Sequence, residues 1–206
     1  MQDTLPIHFA PLQGYTEAIY RNAHDAFFGG VDTYYTPFVR LEKGNFRRRD
    51  VRGIEPENNG VPHLIPQLIA SSAEKAEVIL SLFIEKGYQE VDINLGCPFP
   101  LLAKRHNGSG ILPYPEEVKA LLSIVTRYPQ ISFSVKMRLG WEQPDECLAL
   151  APILNDLPLR QITMHPRLGK QGYKGEVDLQ GFSAFREVRK IAGFFEQSVI
   201  ICEQTD

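Results

Sequence analysis

The sequence lacks the features that mark membrane, secreted or metal-binding proteins. No run approaches the ~20 apolar residues that a membrane span needs, and residues 1–4 (MQDT) have neither the basic nor the apolar region of a signal peptide. Its three cysteines, Cys97, Cys147 and Cys202, are odd in number and widely spaced, so they form neither a disulfide framework nor a zinc pattern. We therefore expect a reducing, cytoplasmic setting without membrane or metal.

Strong net charge is also missing. The formal charge of −3 argues only weakly against a nucleic-acid ligand, because a nearly neutral total can hide a local basic face. The chain has 206 residues, 43% of them hydrophobic and 23% charged. These values are typical of one soluble globular unit.

Strand-like and helix-like segments alternate along the chain. The strand candidates are residues 6–11, 33–39, 63–69, 90–94, 132–137, 160–165 and 198–201, and the helix candidates are residues 72–85, 115–126, 144–154 and 182–191. Such repeated units predict an α/β fold with a parallel sheet, most simply a TIM-type (β/α) barrel. About seven strands are present where a closed barrel needs eight, within ~250 residues. We therefore expect an incomplete barrel.

One strand runs directly into a cysteine turn. Residues 91–95 (VDINL) read as a strand, and Gly96-Cys97-Pro98 ends it, because proline fixes φ and removes a backbone donor. The thiol thus lies at the carboxyl end of a strand, where such barrels keep their chemistry. A lone free cysteine is more often a small buried hydrophobe, but this position favours function. A thiol of ordinary pKa is mostly protonated at neutral pH and can donate a proton; a thiolate nucleophile is the alternative.

Several other polar residues occupy strands. Asn94 shares a strand face with Asp92, and Lys136 shares one with Arg138. A lysine within a strand is costly to bury unpaired, so Lys136 indicates either a cofactor contact or a Schiff-base lysine of an aldolase-type barrel. For Asn94 the other interpretation is a residue that satisfies the backbone of the turn.

Six strings carry a family resemblance. They are APLQGYT (10–16), IPQLIAS (65–71), DINLGCP (92–98), NGSGILP (107–113), SVKMRLGW (134–141) and MHPRLGKQGYKG (164–175). In this order and spacing the chain resembles the flavin-dependent tRNA-dihydrouridine synthases, from near residue 7 to about residue 190. The resemblance implies an oxidoreductase that uses FMN and NADPH, acts on tRNA, and is usually monomeric.

The resemblance also implies residue roles. Flavin N5 gives a hydride to uracil C6 and Cys97 protonates C5. The expected cofactor-binding residues are Pro11, Leu12, Gln13, Gln67, Lys136 and His165. The expected substrate or RNA residues are Asn94, Lys104, Arg138 and Arg167. The family's lysine four residues past the cysteine is Leu101 here, with Lys104 nearby.

Basic residues cluster in three strand-end loops despite the acidic total. The clusters are Arg40, Lys43, Arg47, Arg48, Arg49 and Arg52; Lys104, Arg105 and His106; and Arg167, Lys170 and Lys174. If these loops open on one face, they suit an RNA backbone, and the target uridine has to be unstacked to enter. The alternative is an ordinary solvated surface.

The sequence departs from the family pattern at its end. Residues 202–206 (CEQTD) stand where the family pattern has an Asn-Gly-Asp turn, and within residues 1–206 we expect neither the eighth strand nor the helical RNA-binding domain that the resemblance implies. We therefore expect residues 1–206 to be a partial N-terminal FMN-binding barrel domain that binds FMN weakly or not at all, which leaves its own activity open. Two alternatives stay open: another flavin barrel dehydrogenase that acts on free pyrimidines, and a non-catalytic RNA-binding remnant.

Overall fold

The computed structural model describes residues 6–189 and a two-residue strand at residues 200 and 201. The strands are β1 (His8–Phe9), β2 (Thr33–Tyr35), β3 (Leu41–Glu42), β4 (Asn45–Phe46), β5 (Leu64–Ile65), β6 (Gln67–Leu68), β7 (Glu90–Leu95), β8 (Ser132–Gly140), β9 (Gln161–Leu168) and β10 (Ile200–Ile201). The helices are α1 (Ala18–Phe27), α2 (Arg48–Gly53), α3 (Ala73–Glu85), α4 (Pro100–Ala103), α5 (Pro115–Leu122), α6 (Ile124–Arg127), α7 (Glu146–Asn155) and α8 (Leu179–Val188).

The sheet is parallel and follows chain order. β1 pairs with β2 and β2 with β5, while β6, β7, β8, β9 and β10 pair in that sequence. The order never reverses, unlike that of doubly wound sheets. Among the described residues β1 and β10 do not pair. The structure therefore shows an α/β fold with parallel sheets, and the incomplete eight-strand barrel stays an expectation.

Pro66 separates β5 from β6. Proline cannot donate to a ladder, and the Pro66 carbonyl instead accepts from the Asp92 amide at 3.0 Å. The backbone N–H of Gln67 donates to Thr36 Oγ1 at 3.0 Å, and Val39 forms an isolated β-bridge with Leu68. One strand thus pairs with β2 before the proline and with β7 after it.

The antiparallel β3–β4 hairpin follows β2. Lys43 and Gly44 form its turn, with φ values of 52° and 82°. Two left-handed residues in a two-residue loop match the twist of paired strands, which explains the glycine. The first basic cluster extends from Arg40, just before the hairpin, through Lys43 in its turn to Arg52 on α2.

Helix α3 confirms the prediction for residues 72–85. Ser72 is its N-cap and accepts from the Lys75 amide. Its buried face consists of Ala73, Ala76, Ile79, Leu80 and Phe83. This helix covers the neighbouring strands because its apolar residues recur at helical spacing.

The other predicted helices are also present, with shifted ends. The segment 115–126 is two helices, α5 and α6, with Ser123 between them. α7 and α8 correspond to the segments 144–154 and 182–191, although residues 190 and 191 lie outside the described residues, as do residues 198, 199 and 202–206 of the predicted last strand and its turn. No described helix is long and apolar enough to cross a bilayer.

Helix α1 was not predicted, although its sequence carries a helical pattern. Its buried side chain is Arg21, which donates to the carbonyls of Thr16 and Gly53 at 2.6 and 2.8 Å. Ile19 and Phe27 are 80% and 84% exposed. The apolar residues of α1 do recur at helical spacing, but the stripe that they form is exposed instead of packing into the core.

The two faces of the sheet differ in polarity. One face packs into the main core with the helices through Val91, Ile93, Leu95, Phe133, Val135, Met137, Leu139, Ile162 and Met164. The alternate residues form the opposite face: Asp92, Asn94, Ser134, Lys136, Arg138, Gln161, Thr163 and His165. This alternation follows from the period-two geometry of strands, and it turns a row of polar side chains away from the helices.

We predict that Phe83→Ala on α3 costs about 3–5 kcal/mol of unfolding free energy, because it leaves a cavity where a fully buried ring packs. Urea unfolding measures the loss. Val78→Ala on the same helix is the control: Val78 is 48% exposed, so its change is expected within about 0.5 kcal/mol. Equal losses for both variants would contradict the observed orientation of α3.

Candidate active site

The polar face of the sheet ends in a large cavity of about 1030 Å³. Its walls come from the carboxyl ends of successive strands, with Pro11 after β1, Phe38 after β2, and Asn94, Lys136 and His165 on β7, β8 and β9. Ligands of parallel α/β sheets bind at this end of the strands. The volume is at the upper end of the usual range for ligand pockets.

Nine of the predicted site residues line this cavity: Pro11, Leu12, Gln13, Gln67, Asn94, Cys97, Lys136, Arg138 and His165. Lys104 instead lines a separate cavity of about 430 Å³, beside Tyr114 and Trp141. Arg167 is not among the lining residues; it donates to the Gly175 carbonyl and lies 3.0 Å from His165 Nε2. The structure therefore brings most, but not all, of the predicted residues together.

The cysteine turn is held from both sides. Asn94 Oδ1 accepts from the backbone amides of Gly96 and Cys97 at 3.0 and 2.8 Å. On the other side the Cys97 carbonyl accepts from the amide and the hydroxyl of Ser109, at 3.0 and 2.9 Å. These four bonds fix where the thiol stands at the end of β7.

The Cys97 thiol is partly buried and stays protonated at neutral pH. Burial raises the pKa of Cys97, while the Phe99 backbone amide and the cations of Arg138 and Arg40 act in the opposite direction. A protonated thiol is a proton donor. The nearby cations would stabilise the thiolate left after a proton transfer.

The segment 107–110 (NGSG) packs against the backbone of this turn. A Cβ at Gly108 would lie 2.6 Å from the Cys97 carbonyl oxygen and 2.8 Å from its Cβ, and Gly108 has a φ of +61°. A Cβ at Gly110 would collide with the backbone of Ala103. Glycine is therefore required at both positions, because any side chain would push the cysteine loop away.

Lys136 and Arg138 project from β8 toward the cavity but differ in their contacts. Lys136 pairs in register with Asn94 on β7. Arg138 is 1% exposed and donates to the carbonyls of Gly96, Leu168 and Gly172 at 2.9, 3.0 and 2.7 Å. Burial lowers the pKa of Arg138. Arg138 thus connects the cysteine turn to the loop after β9 besides facing the cavity.

His165 is a neutral imidazole in this site. Burial, followed by the cations Arg138, Lys136 and Arg167, lowers the pKa of His165 to about 3. The Arg167 guanidinium lies 3.0 Å from Nε2, and because arginine can only donate, Nε2 accepts and the ring proton is on Nδ1. His165 can therefore offer an N–H donor without carrying charge.

The cavity is cationic although the chain is acidic overall. Its lining contains Arg40, Arg47, Arg49, Lys136, Arg138, Lys170 and Lys174 and, among the described residues, neither Asp nor Glu. Such a wall concentrates anions. Within the described part of the chain no group of three or more His, Cys, Asp or Glu side chains could hold a metal ion.

Comparison with known proteins identifies the family. The profile described as "Dihydrouridine synthase (Dus)" matches residues 8–192, which is most of the chain. The chain belongs to the dihydrouridine synthase family.

Relatives within this family share about a quarter to a third of aligned residues. A protein named "Probable tRNA-dihydrouridine synthase 1" from Synechocystis sp. is 28% identical over 189 residues, 88% of this chain and 51% of the relative. "tRNA-dihydrouridine synthase B" of Vibrio cholerae is 30% identical over 122 residues, 59% of this chain and 36% of the relative. "tRNA-dihydrouridine(16) synthase" of Pseudomonas putida is 28% identical over 199 residues, which are 92% of this chain and 61% of the relative. The chain thus spans about half the length of the curated relatives it matches.

The structure adds residues to this site that the sequence did not reveal. Ser109 holds the Cys97 carbonyl, Trp141 lines both cavities, and Tyr173 lies with its ring centroid 5.3 Å from the Arg138 guanidinium. Ser109 and Tyr173 stand within the strings NGSGILP and MHPRLGKQGYKG, which carry the family resemblance. Those strings could have marked the two residues, but their contacts depend on the fold.

We predict that Gly108→Ala destabilises the protein more than Gly44→Ala does. Both glycines have positive φ, so each change costs about 1–2 kcal/mol of backbone strain. Gly44 has nothing within 4 Å of its added Cβ, whereas Gly108 meets the Cys97 backbone, which adds about 1–3 kcal/mol of overpacking. Urea unfolding of the two variants measures the difference, and equal losses would refute the close approach to Cys97.

We predict that His165 makes stability depend on pH. The unfolded imidazole binds a proton below its ordinary pKa of 6.5, but the folded one binds it only near 3. The unfolding free energy therefore falls as pH falls through this window. Urea unfolding at several pH values in this window should show that the unfolding free energy depends less on pH in His165→Gln. His106→Gln is the control: it changes an imidazole outside the large cavity and should keep the pH dependence that His165 contributes. An unchanged slope in His165→Gln would show that His165 takes up its proton in the folded state.

Proposed function

We propose that this protein reduces uridine in tRNA to 5,6-dihydrouridine, with FMN as cofactor and NADPH as reductant. The observation that carries the proposal is the Cys97 thiol, kept protonated by burial, in one cavity with Lys136 and His165. The three relatives described above carry the name tRNA-dihydrouridine synthase. The same names support tRNA as the substrate.

The cavity residues fit FMN. Both polar atoms of the Gln13 amide are buried without a hydrogen-bond partner, and an unpaired buried amide is costly. The polar edge of a flavin ring would supply that partner. Gln67, Lys136, His165 and the backbone of Pro11 and Leu12 would complete the cofactor site. When bound and reduced by NADPH, FMN would supply the hydride for uracil C6.

Two residues of the chain would stabilise the negative charge of the reaction and supply its proton. Lys136 places a cation in the cavity, which stabilises negative charge on the reduced ring system. Cys97 holds the proton that uracil C5 needs after hydride arrives at C6, so the S–H bond breaks as the C5–H bond forms. The resulting thiolate lies near Arg138 and Arg40 and regains its proton from water.

The cationic lining supports an anionic polymer as substrate. Arg40, Arg47, Arg49, Lys170 and Lys174 would contact phosphates around the mouth. C5 and C6 of uracil are reached only when the base leaves its stack, and a cavity of this volume has room for an inserted base. Asn94 and Arg138 are then the polar groups beside it.

We extend the proposal to the architecture. Parallel strands in chain order, with polar residues meeting at their carboxyl ends, fit the greater part of a TIM-type barrel. Residues 8–192, which match the family profile, would form its FMN-binding domain.

The test is Cys97→Ala in the purified chain supplied with FMN, NADPH and unmodified tRNA transcript. We expect dihydrouridine formation, measured by mass spectrometry of tRNA nucleosides, to fall about 100-fold or more, as for the loss of a general acid. Flavin reduction by NADPH should stay unchanged, because that step needs no proton on C5. Cys147→Ala is the matched control, since Cys147 is buried outside the cavity.

Two other results would replace the proposal. Reduction of free uracil or orotate without RNA would identify a flavin dehydrogenase of free pyrimidines. RNA binding without any bound flavin, unaffected by Cys97→Ala, would identify a non-catalytic RNA-binding protein.

A further inference from the structure

Asp92 is a buried acid that the proposed reaction does not use. It lies on β7, is 2% exposed, and is not among the residues that line the large cavity. Its Oδ2 accepts from Gln67 Nε2 at 2.7 Å and its Oδ1 from Ser134 Oγ at 2.6 Å. Burial raises the pKa of Asp92, and these two hydrogen bonds oppose that rise.

A continuous chain of hydrogen bonds connects Asp92 to the cysteine turn. Asn94 Nδ2 donates to Gln67 Oε1 at 2.8 Å, and Asn94 Oδ1 accepts from the amides of Gly96 and Cys97. Every donor in this chain points toward Asp92. The chain therefore begins at the backbone of Cys97 and ends at the carboxylate.

The donor-to-acceptor direction of this series of hydrogen bonds cannot be reversed. Backbone amides only donate, so the oxygen of Asn94 must face them and its nitrogen must face Gln67. The nitrogen of Gln67 then needs an acceptor, and Asp92 is the group that provides it. Even with a proton on Oδ1, which Ser134 would accept, Oδ2 still accepts from Gln67.

We propose that Asp92 is a positioning residue for Cys97, which ends this chain, fixes the amide orientations of Gln67 and Asn94, and so holds the turn that carries the thiol. The inference rests on the proposed function in one respect, that Cys97 is the proton donor. Without an acceptor at position 92 the Gln67 amide is left with an unpaired buried donor. The Gln67 side chain then rotates and releases Asn94.

The fixed orientations also define what Asn94 can bind. Its oxygen already accepts two backbone hydrogen bonds, and one of its two N–H groups is used by Gln67. Asn94 therefore offers the cavity an N–H donor. This group matches a ring carbonyl, as in a uracil, and opposes an amino group at the same position.

The experiment measures alkylation of Cys97 by iodoacetamide as a function of pH, resolved by peptide mass spectrometry. Asp92→Leu removes the acceptor, and we expect the alkylation rate of the thiolate at high pH to rise about tenfold as the turn opens. Asp92→Asn keeps an acceptor for Gln67 and a partner for Ser134, and we expect the wild-type rate. Gln161→Leu removes a comparable buried amide on β9, bonded to Thr163, and should leave Cys97 unchanged.

A second variant and a second measurement guard against misfolding. If Asp92→Leu does not fold, Gln67→Leu breaks the same chain one step later and should raise the rate likewise. Backbone hydrogen exchange at Gly96 and Cys97 should accelerate in the same variants, without a matching change elsewhere in β7.

Two results would overturn the inference. An unchanged alkylation rate of Cys97 in Asp92→Leu, or in Gln67→Leu where that variant takes its place, would show that the turn does not depend on these hydrogen bonds. Equal effects of Asp92→Asn and Asp92→Leu on the alkylation rate would assign the effect to the charge of Asp92. A shift in the midpoint of the rate–pH curve, without a higher rate at high pH, would do the same. Neither flavin nor RNA takes part, so failure here leaves the dihydrouridine assay to judge the proposed function by itself.

Discussion

The site depends on one pair of hydrogen bonds, in which the backbone N–H groups of Gly96 and Cys97 both donate to Asn94 Oδ1. These amides come directly after β7, where the ladder ends and backbone donors would otherwise be unpaired. By accepting both, Asn94 turns the chain out of the sheet and sets the thiol at the cavity wall. Ser109 holds the same turn through the Cys97 carbonyl. A reactive group on a loop thereby gains the rigidity of the strand beneath it.

The alternation of the strands explains how a chain of net charge −3 builds a cationic cavity. Apolar residues of β7, β8 and β9 face the helices, so the intervening polar residues must face the opposite side. The carboxyl ends of parallel strands converge, and the loops that follow them add further cations. Acidic residues do not line the cavity but pair with some of its cations from outside: Glu142 contacts Lys170 and Asp50 contacts Arg47, at distances of 2.6 and 3.3 Å. Overall charge therefore says little about this surface.

Cations at this site have two physical roles. Lys136 faces the cavity with a flexible point charge, whereas Arg138 and Arg167 spend their donors on backbone carbonyls and on His165. A planar guanidinium with five donors suits such cross-links between loops. Burial and, after it, the same cations lower the pKa of His165 and keep it neutral. The electrostatics of the site thus belongs to the group and not to any one residue.

The sequence by itself determined the parallel α/β organisation, the amphipathic helix α3 and the end of β7 just before Cys97, because these depend on local periodicity and on proline. It also placed nine site residues that do meet, since strand ends of a parallel sheet share one edge. Only the tertiary structure decided that α1 buries Arg21, that Lys104 lines a different cavity, and that Arg138 bonds the carbonyl of Gly172. Those outcomes rest on contacts between residues far apart in the chain or on the path of a loop. Such contacts leave no periodic trace in the sequence.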